Sequence, residues 1–95
     1  MLTGKERAEL RKHANTLETV CYIGKDNIDE QVVEGIAGAL KARELIKIKV
    51  QENSMYTARE ASAEICEKLG AEPIQTIGRR FVIYKRNKKI DKYGI

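Results

Sequence analysis

In this 95-residue chain, the short loop Gly24-Lys25-Asp26-Asn27 has the residue types best suited to binding a ligand. It follows a β-branched run at residues 19–23, typical of a strand, and precedes a helical pattern that Asp29 can cap. A loop in this position directs main-chain N–H groups, an ammonium group and the positive end of a helix toward one point. The pattern therefore predicts an anion site. Its residues are Gly24, Lys25 and Asn27.

An ordinary strand-to-helix turn is the alternative interpretation of the same four residues. Glycine allows a phosphate to approach the backbone closely, and Asn27 accepts left-handed backbone more readily than most residues. Asp26 and Asp29, however, place two negative charges beside the loop and oppose anion binding. The four residues alone leave both interpretations open.

Basic side chains are concentrated at the C-terminal end of the chain. Residues 78–95 carry seven Lys/Arg and one Asp, a net charge of +6, whereas the other 77 residues carry 11 basic and 13 acidic side chains, a net charge of −2. A basic end of this kind is typical of proteins that bind polyanions, and equally of a solvated tail. Arginines at a tight turn can bind phosphates through paired hydrogen bonds. The predicted phosphate-binding side chains are Arg79, Arg80, Lys85 and Arg86, which we expect to form one cluster, with Lys5, Arg11 and Lys12 of the first helix as further contacts.

The sequence contains no recognisable catalytic or metal-binding constellation. The single histidine, His13, has no evident nucleophile partner, and neither a P-loop nor a dinucleotide-binding glycine pattern occurs. Cys21 and Cys66 are too few for a metal site and suit small buried hydrophobic residues in a reducing compartment. We therefore predict a protein without catalytic activity, cofactor, metal ion or small-molecule substrate.

Seven predicted elements position these residues, in the order α-β-α-β-α-β-β. Thr3 and Thr57 each begin a capping box that starts a helix, and Gly70 ends the third helix. The last two strands, residues 73–77 and 80–84, are joined through Gly78-Arg79, where glycine permits a hairpin turn. Alternating strands and helices with a terminal hairpin predict a single compact, layered α/β domain with a mixed four-stranded sheet.

The second predicted strand, residues 45–50, alternates in polarity. Ile46, Ile48 and Val50 point to one side, and Lys47 and Lys49 point to the other. The pattern therefore predicts a strand with one buried and one solvated face.

The chain is expected to contain one domain and one tail. Residues 85–95 lack periodicity, so we predict a domain over residues 1–86 and a mobile basic tail over residues 87–95. No apolar run approaches the roughly 20 residues that a membrane span requires, so we expect no membrane partner. Nor does an apolar targeting segment open the chain, which favours a cytoplasmic protein.

A second G-x-x-G pattern, Gly35-Ile36-Ala37-Gly38, lies within the second predicted helix. Its central residues are apolar and fall on the buried side of that helix, where they are unavailable to a phosphate. We therefore predict that the small residues of this helix serve close packing, which would offset the cost of two glycines inside a helix. The small residues concerned are Gly35, Gly38, Ala39 and Ala42.

Five segments together match the pattern of one known family. They are Leu2–Arg7, Leu10–Ala14, Tyr22–Lys25, Glu44–Val50 and Gln75–Arg86. With them, nearly the whole chain up to about Arg86 resembles a CRM (chloroplast RNA splicing and ribosome maturation) domain, especially the stand-alone bacterial YhbY-like proteins. The resemblance implies an RNA-binding domain with a fold similar to the C-terminal domain of translation initiation factor three.

The resemblance also implies a site and a role. The family's RNA-contacting G-x-x-G loop, which is similar to that of KH domains, maps onto Gly24 to Asn27. This chain departs from the pattern because Asn27 replaces the second glycine and Asp26 is acidic. Stand-alone members are linked to precursors of the large ribosomal subunit.

Our leading hypothesis is a monomeric, cytoplasmic RNA-binding protein that contacts ribosomal RNA and assists assembly of the large (50S) subunit. The alternative is a protein-interaction module that docks on a ribosome-associated complex without touching RNA. In that alternative, the small-residue side of the second helix is the docking surface.

Overall fold

The computed structural model of the chain describes residues 2–25 and 28–94. These residues form seven elements in the predicted order: α1 (Gly4–Ala14), β1 (Thr19–Ile23), α2 (Glu30–Arg43), β2 (Leu45–Val50), α3 (Ala58–Leu69), β3 (Glu72–Ile77) and β4 (Arg80–Tyr84). The strands form one sheet in the order β1-β2-β4-β3. Strand β1 runs parallel to β2, whereas β4 is antiparallel to both of its neighbours. The predicted α/β class and mixed four-stranded sheet are confirmed.

Local capping interactions begin and end the helices as the sequence predicts. The Thr3 hydroxyl accepts the Glu6 N–H at 3.1 Å, and the Glu6 carboxylate accepts the Thr3 N–H at 2.8 Å. Thr57 and Glu60 form the same reciprocal pair at the start of α3, where the Thr57 N–H lowers the pKa of the Glu60 carboxyl. At the end of α3, Gly70 adopts a left-handed conformation with φ of 66°.

Helices cover both faces of the sheet, which gives the domain three layers. Helices α2 and α3 cover most of one face, leaving Pro73 and Thr76 of β3 exposed. The strand side chains buried beneath them include Ile46, Ile48, Val50, Phe81 and Ile83. Helix α1 covers only part of the other face, where Leu10 and Ala14 pack against four strand residues. Those residues are Leu45, Ile74, Val82 and Tyr84. The sequence predicted that β2 has one buried and one solvated face. The face predicted to be solvated is in fact half covered, because α1 buries its part nearest Leu45.

The segment after β4 is docked on the domain, which corrects the expectation of a mobile tail. Glu44, between α2 and β2, is 0 % exposed and has a positive φ of 65°. Its carboxylate accepts the N–H groups of Asn87 at 2.8 Å and Lys92 at 2.5 Å. Its main-chain oxygen accepts the Lys85 N–H at 2.9 Å. One buried carboxylate therefore organises the segment, and the boundary between a domain over 1–86 and a tail over 87–95 stays a prediction.

Aromatic packing adds to this docking. The Tyr93 ring lies 4.9 Å from that of His13 and 6.4 Å from that of Tyr84, measured between centroids. Burial, and secondarily the Glu44 carboxylate, raises the pKa of both tyrosines. The tail thus contributes to the smaller core beneath α1.

The small-residue prediction for α2 is only partly right. Ile36 is buried and Ala37 half-buried, as expected. Gly35 and Gly38 are exposed, however, and a Cβ added at either would meet no atom within 4 Å beyond the adjacent backbone of α2. Among the described residues, the two glycines therefore make no close contact with another element, and that part of the prediction is wrong. Among the described residues, no helix is long and apolar enough to cross a membrane.

Candidate functional site

The Gly24-Lys25 loop and the β3–β4 turn lie at the same end of the sheet. The main-chain oxygen of Ile23 accepts the Gln51 N–H at 2.9 Å, and the Val50 N–H donates to the Arg79 oxygen at 2.7 Å. Two consecutive residues of the chain, Val50 and Gln51, thus connect the loop to the turn. We call this region, comprising Gly24, Lys25, Arg79 and Arg80, the loop end. The structure therefore brings together the two predicted sites with the strongest sequence signals.

The backbone around Gly24 is close to its neighbours, whereas Lys25 is exposed. A Cβ added at Gly24 would lie 3.3 Å from the Gln51 side-chain oxygen, so a larger residue would displace that amide. The predicted site residue Asn27, and the adjacent Asp26, lie outside the described residues.

The N-terminus of α2 follows the Gly24-Lys25 loop, but it is less suited to binding an anion than the sequence predicts. The Asp29 carboxylate caps the helix and accepts the Val32 N–H at 3.0 Å. Because this carboxylate satisfies a helix donor and compensates the positive end of the helix, less of that charge is available to a ligand. The cations of the loop end must therefore supply most of its attraction for an anion.

A row of four side chains crosses the uncovered half of the α1 face beside the loop end. Its members are paired across neighbouring strands: Tyr22 with Lys49, Lys49 with Arg80, and Arg80 with Ile77. Tyr22 is 57 % and Ile77 63 % exposed. We call this row, together with Lys47 and Gln75, the open face.

The open face carries three cations and no carboxylate. Lys47, Gln75, Ile77 and Arg80 line a shallow depression of about 150 Å³ with Asn15 of α1. Lys47 and Lys49 are half-buried, so their long side chains lie against the sheet while their ammonium groups stay near solvent. The arrangement attracts anions and presents exposed apolar surface beside the charges.

The predicted residues of α1 differ in their distance from this face. Arg7 clamps α1 to the start of β3, with a 2.8 Å ion pair to Glu72. Asn15 borders the depression on the open face. Arg11 lies four residues from both Arg7 and Asn15, so it is on the same side of the helix as they are, next to the open face. Lys12, by contrast, is directed toward Glu9 at 3.7 Å, and Lys5 is exposed near the start of the helix.

Lys85 and Arg86 lie at the opposite end of β4 from Arg79 and Arg80. Strand β4 rises about 3.3 Å per residue, so its two ends are about 13 Å apart. Lys85 donates to the Leu69 oxygen at the end of α3 at 2.7 Å, and Arg86 lies 3.9 Å from the Asp91 carboxylate. The expectation that all four cations form one cluster is therefore wrong, because an extended strand separates them.

A second basic region surrounds Lys85 and Arg86. It forms the mouth of a cavity of about 380 Å³ between the ends of α2 and α3 and the tail. Apolar residues such as Leu40 and Leu69 form its floor. The cations around it are Lys41, Lys85, Arg86, Lys88 and Lys89. We call this region the far end.

The two cysteines are buried to different degrees and are separate from both basic regions. Cys66 is buried in the larger core, and the half-buried Cys21 packs against that core. Burial raises the pKa of both thiols; Arg43 opposes this at Cys21 and the Ser62 hydroxyl at Cys66. A raised pKa disfavours the thiolate, which is the nucleophilic form. The described residues also contain no group of three or more His, Cys, Asp or Glu side chains able to hold a metal ion.

Slow alkylation of both thiols is the expected consequence. At pH 8 a thiol with a raised pKa has a smaller thiolate fraction than ordinary cysteine, so native Cys21 and Cys66 should react more slowly than in the urea-unfolded chain. Timed iodoacetamide labelling followed by peptide mass spectrometry measures each site separately. Labelling of native Cys21 at the unfolded rate would contradict this assignment.

Sequence reasoning missed the open face. Tyr22, Lys47, Lys49 and Ile77 were not predicted as site residues, although the alternation of β2 placed its two lysines on one side. The missing information was the strand order, since only that order places Tyr22 of β1 and Arg80 of β4 on either side of Lys49.

Comparison with known proteins identifies the family. The chain is 35% identical over 89 residues to Probable RNA-binding protein YqeI of Bacillus subtilis, covering 94% of this chain and 93% of that protein. It is 34% identical to Probable RNA-binding protein MJ0652 of Methanocaldococcus jannaschii, with 97% of this chain and 69% of that protein covered. The solution structure of SAV1595 from Staphylococcus aureus superposes with a TM-score of 0.69 and 35% identity over 92% of this chain and 91% of that one. The CRS1/YhbY (CRM) domain pattern matches residues 2–85, and the chain therefore belongs to the CRS1/YhbY (CRM) domain family.

Proposed function

We propose that this chain is a non-catalytic, cytoplasmic RNA-binding protein that acts as a monomer. Its partner is ribosomal RNA in a precursor of the large (50S) ribosomal subunit, whose assembly it assists. Relatives in its family carry the name of RNA-binding proteins, which supports the general function. The ribosomal target rests on the resemblance to the stand-alone YhbY-like proteins.

One observation carries the proposal: the loop end and the open face form a continuous cationic surface. Arg80 belongs to both regions: Arg79 precedes it in the β3–β4 turn, and Lys49 is its partner on β2. Lys25 follows β1 at the same end of the sheet. Arginine binds phosphate oxygens through paired hydrogen bonds, and lysine supplies a point charge. The surface thus suits an extended polyanion better than a single small anion.

Among the described residues, two acids lie close to this surface without interrupting its row of strand residues. Glu52 lies in the connection after β2, in a depression that Arg79 also lines, and Asp29 is engaged in capping α2. Neither belongs to the row of strand residues that crosses the open face. A phosphate chain that follows the row therefore meets cations without an intervening carboxylate.

A steep salt dependence of RNA binding is expected. If Lys25, Lys49, Arg79 and Arg80 each neutralise one phosphate, the slope of log K against log salt is about −3, so affinity falls roughly 50-fold between 50 and 200 mM salt. Fluorescence anisotropy with ribosomal RNA fragments across a salt series measures this slope. A slope near zero would exclude phosphate contacts as the basis of binding.

The protein-interaction alternative retains one supporting observation. Gly35, Gly38 and Ala42 are exposed on α2, where they form a smooth surface on which another helix could pack closely. In this case the protein joins a ribosome-associated complex through protein contacts, and the cations of the loop end are not required. Charge reversal at Arg79 and Arg80 separates the two functions, because only RNA binding requires these cations.

A further inference from the structure

The open face contains an aromatic side chain whose exposure serves no packing purpose. Tyr22 is 57 % exposed on β1, which is an edge strand, and its ring belongs to neither hydrophobic core. Its neighbours in the chain, Cys21 and Ile23, point to the opposite face and pack in the larger core. The backbone of β1 is therefore fixed by packing, while the Tyr22 ring is presented to solvent.

The position of Tyr22 relative to the cations is defined by strand register. Lys49 is its direct partner on β2, and Arg80 is the partner of Lys49 on β4. Neighbouring strands are about 4.8 Å apart, so the row from Tyr22 to Ile77 spans about 14 Å. Within that distance lie one exposed ring, two cations and one exposed aliphatic side chain.

This combination suits a particular class of ligand. The cations attract an anionic partner, and the exposed ring offers a flat apolar surface beside them. Unpaired nucleotides present both groups, since each has a phosphate and a base with two free faces, whereas paired bases are already stacked within a helix. An acidic peptide would match the charges but has no planar group at each residue to cover the ring.

We propose that the open face binds an unpaired RNA segment, with one base stacked on the Tyr22 ring and the flanking phosphates held by Lys49 and Arg80. Gly24 and Lys25 follow β1 directly, so the same segment continues from Tyr22 onto the loop end. The inference rests on the proposed RNA-binding function. It adds that the bound RNA is unpaired and that the Tyr22 side chain distinguishes it from paired RNA. Phosphate contacts supply most of the affinity, and Tyr22 supplies the preference for unpaired nucleotides.

The test compares Tyr22→Ala and Tyr22→Phe on two probes, a 12-nucleotide oligouridine and a 12-base-pair RNA duplex. Because stacking on an aromatic ring contributes about 1–3 kcal/mol per base, Tyr22→Ala should weaken oligouridine binding about fivefold or more. Tyr22→Phe keeps the ring and should stay within about twofold of the natural protein. Neither variant should change duplex binding. Photo-crosslinking of an oligouridine that contains 5-iodouridine should give an adduct at Tyr22.

Ile90→Ala is the matched control, because Ile90 is a 43 % exposed apolar residue of the docked tail. It should leave binding of both probes unchanged. Equal affinity of Tyr22→Ala and the natural protein for oligouridine, or an equal loss on both probes, would overturn the stacking site while leaving RNA binding intact. Salt-insensitive or absent binding of every RNA by the natural protein would overturn the proposed function as well. Thermal unfolding verifies that each variant is folded.

Discussion

Replacing both hairpin arginines by glutamate, Arg79→Glu with Arg80→Glu, is expected to weaken binding to ribosomal RNA fragments at least about 100-fold. Each arginine makes a charged hydrogen bond to phosphate, which stabilises the complex by about 1.5–3 kcal/mol. The new carboxylates, in addition, repel the RNA backbone. The slope of log K against log salt should become shallower by about 1.4–1.8, because two fewer phosphates are neutralised. Anisotropy titrations at several salt concentrations measure both quantities.

The matched control reverses two charges at the far end, Lys88→Glu with Lys89→Glu. Both double variants change the net charge by −4, so a loss caused by overall charge would be the same in each. We expect the far-end variant to lose less than about fivefold. Equal losses would show that the loop end is not a distinct binding site.

The same pair of variants distinguishes RNA binding from a protein-interaction function. If RNA contacts hold the protein on ribosomal particles, the Arg79/Arg80 variant should leave the large-subunit precursor fractions of a sucrose gradient. Retention of this variant, at the level of the natural protein, would favour docking through protein contacts. Both arginines are exposed, so their replacement should change the free energy of unfolding by no more than about 0.5 kcal/mol.

Replacing the buried Glu44 by alanine is expected to lower the free energy of unfolding by about 2–4 kcal/mol. The Glu44 carboxylate accepts the N–H groups of Asn87 and Lys92, and its removal leaves both donors without this acceptor. An unsatisfied buried polar group costs about 1–3 kcal/mol, and two N–H donors lose their acceptor here. The positive φ of this position strains glutamate and alanine alike, so it does not add to the loss. Urea denaturation measures the change, and limited proteolysis should show cleavage after residue 86.

Three further variants test the origin of that loss. Glu44→Gln keeps one acceptor oxygen and should cost less than Glu44→Ala. In a chain that ends at residue 86, Glu44→Ala should cost less than in the full chain, because the two N–H donors are absent and the two changes are coupled. Glu67→Ala removes an exposed acid of α3 and should stay within about 0.5 kcal/mol of the natural protein. Equal stability of Glu44→Ala and Glu67→Ala would refute the anchoring role.

Local chemistry explains why the elements themselves were predictable. A capping box joins residues three positions apart, so Thr3 with Glu6 and Thr57 with Glu60 can be recognised without knowledge of the fold. The alternation of Ile46, Ile48 and Val50 likewise depends only on the two-residue period of a strand. For these reasons the order of elements and the α/β class followed from the sequence.

The candidate site was only half predictable. The basic loop end was found because Lys25 and the Arg79–Arg80 turn belong to recognisable local motifs. Lys85 and Arg86 were placed in the same cluster because they are near in sequence, although β4 holds them at its other end. Proximity along the chain misleads here, since an extended strand moves successive residues apart at about 3.3 Å each.

The amino-acid sequence by itself determined the seven elements, the helix caps at Thr3, Asp29, Thr57 and Gly70, the burial of Cys66 and the concentration of basic residues. Only the tertiary structure decided which strands are neighbours, and hence that Tyr22, Lys49 and Arg80 form one row. It also decided that Glu44 binds backbone groups more than 40 residues away. The physical reason is the same in both cases: these contacts join residues far apart in the chain, so they form only when the whole core selects one sheet order, and no local pattern encodes them.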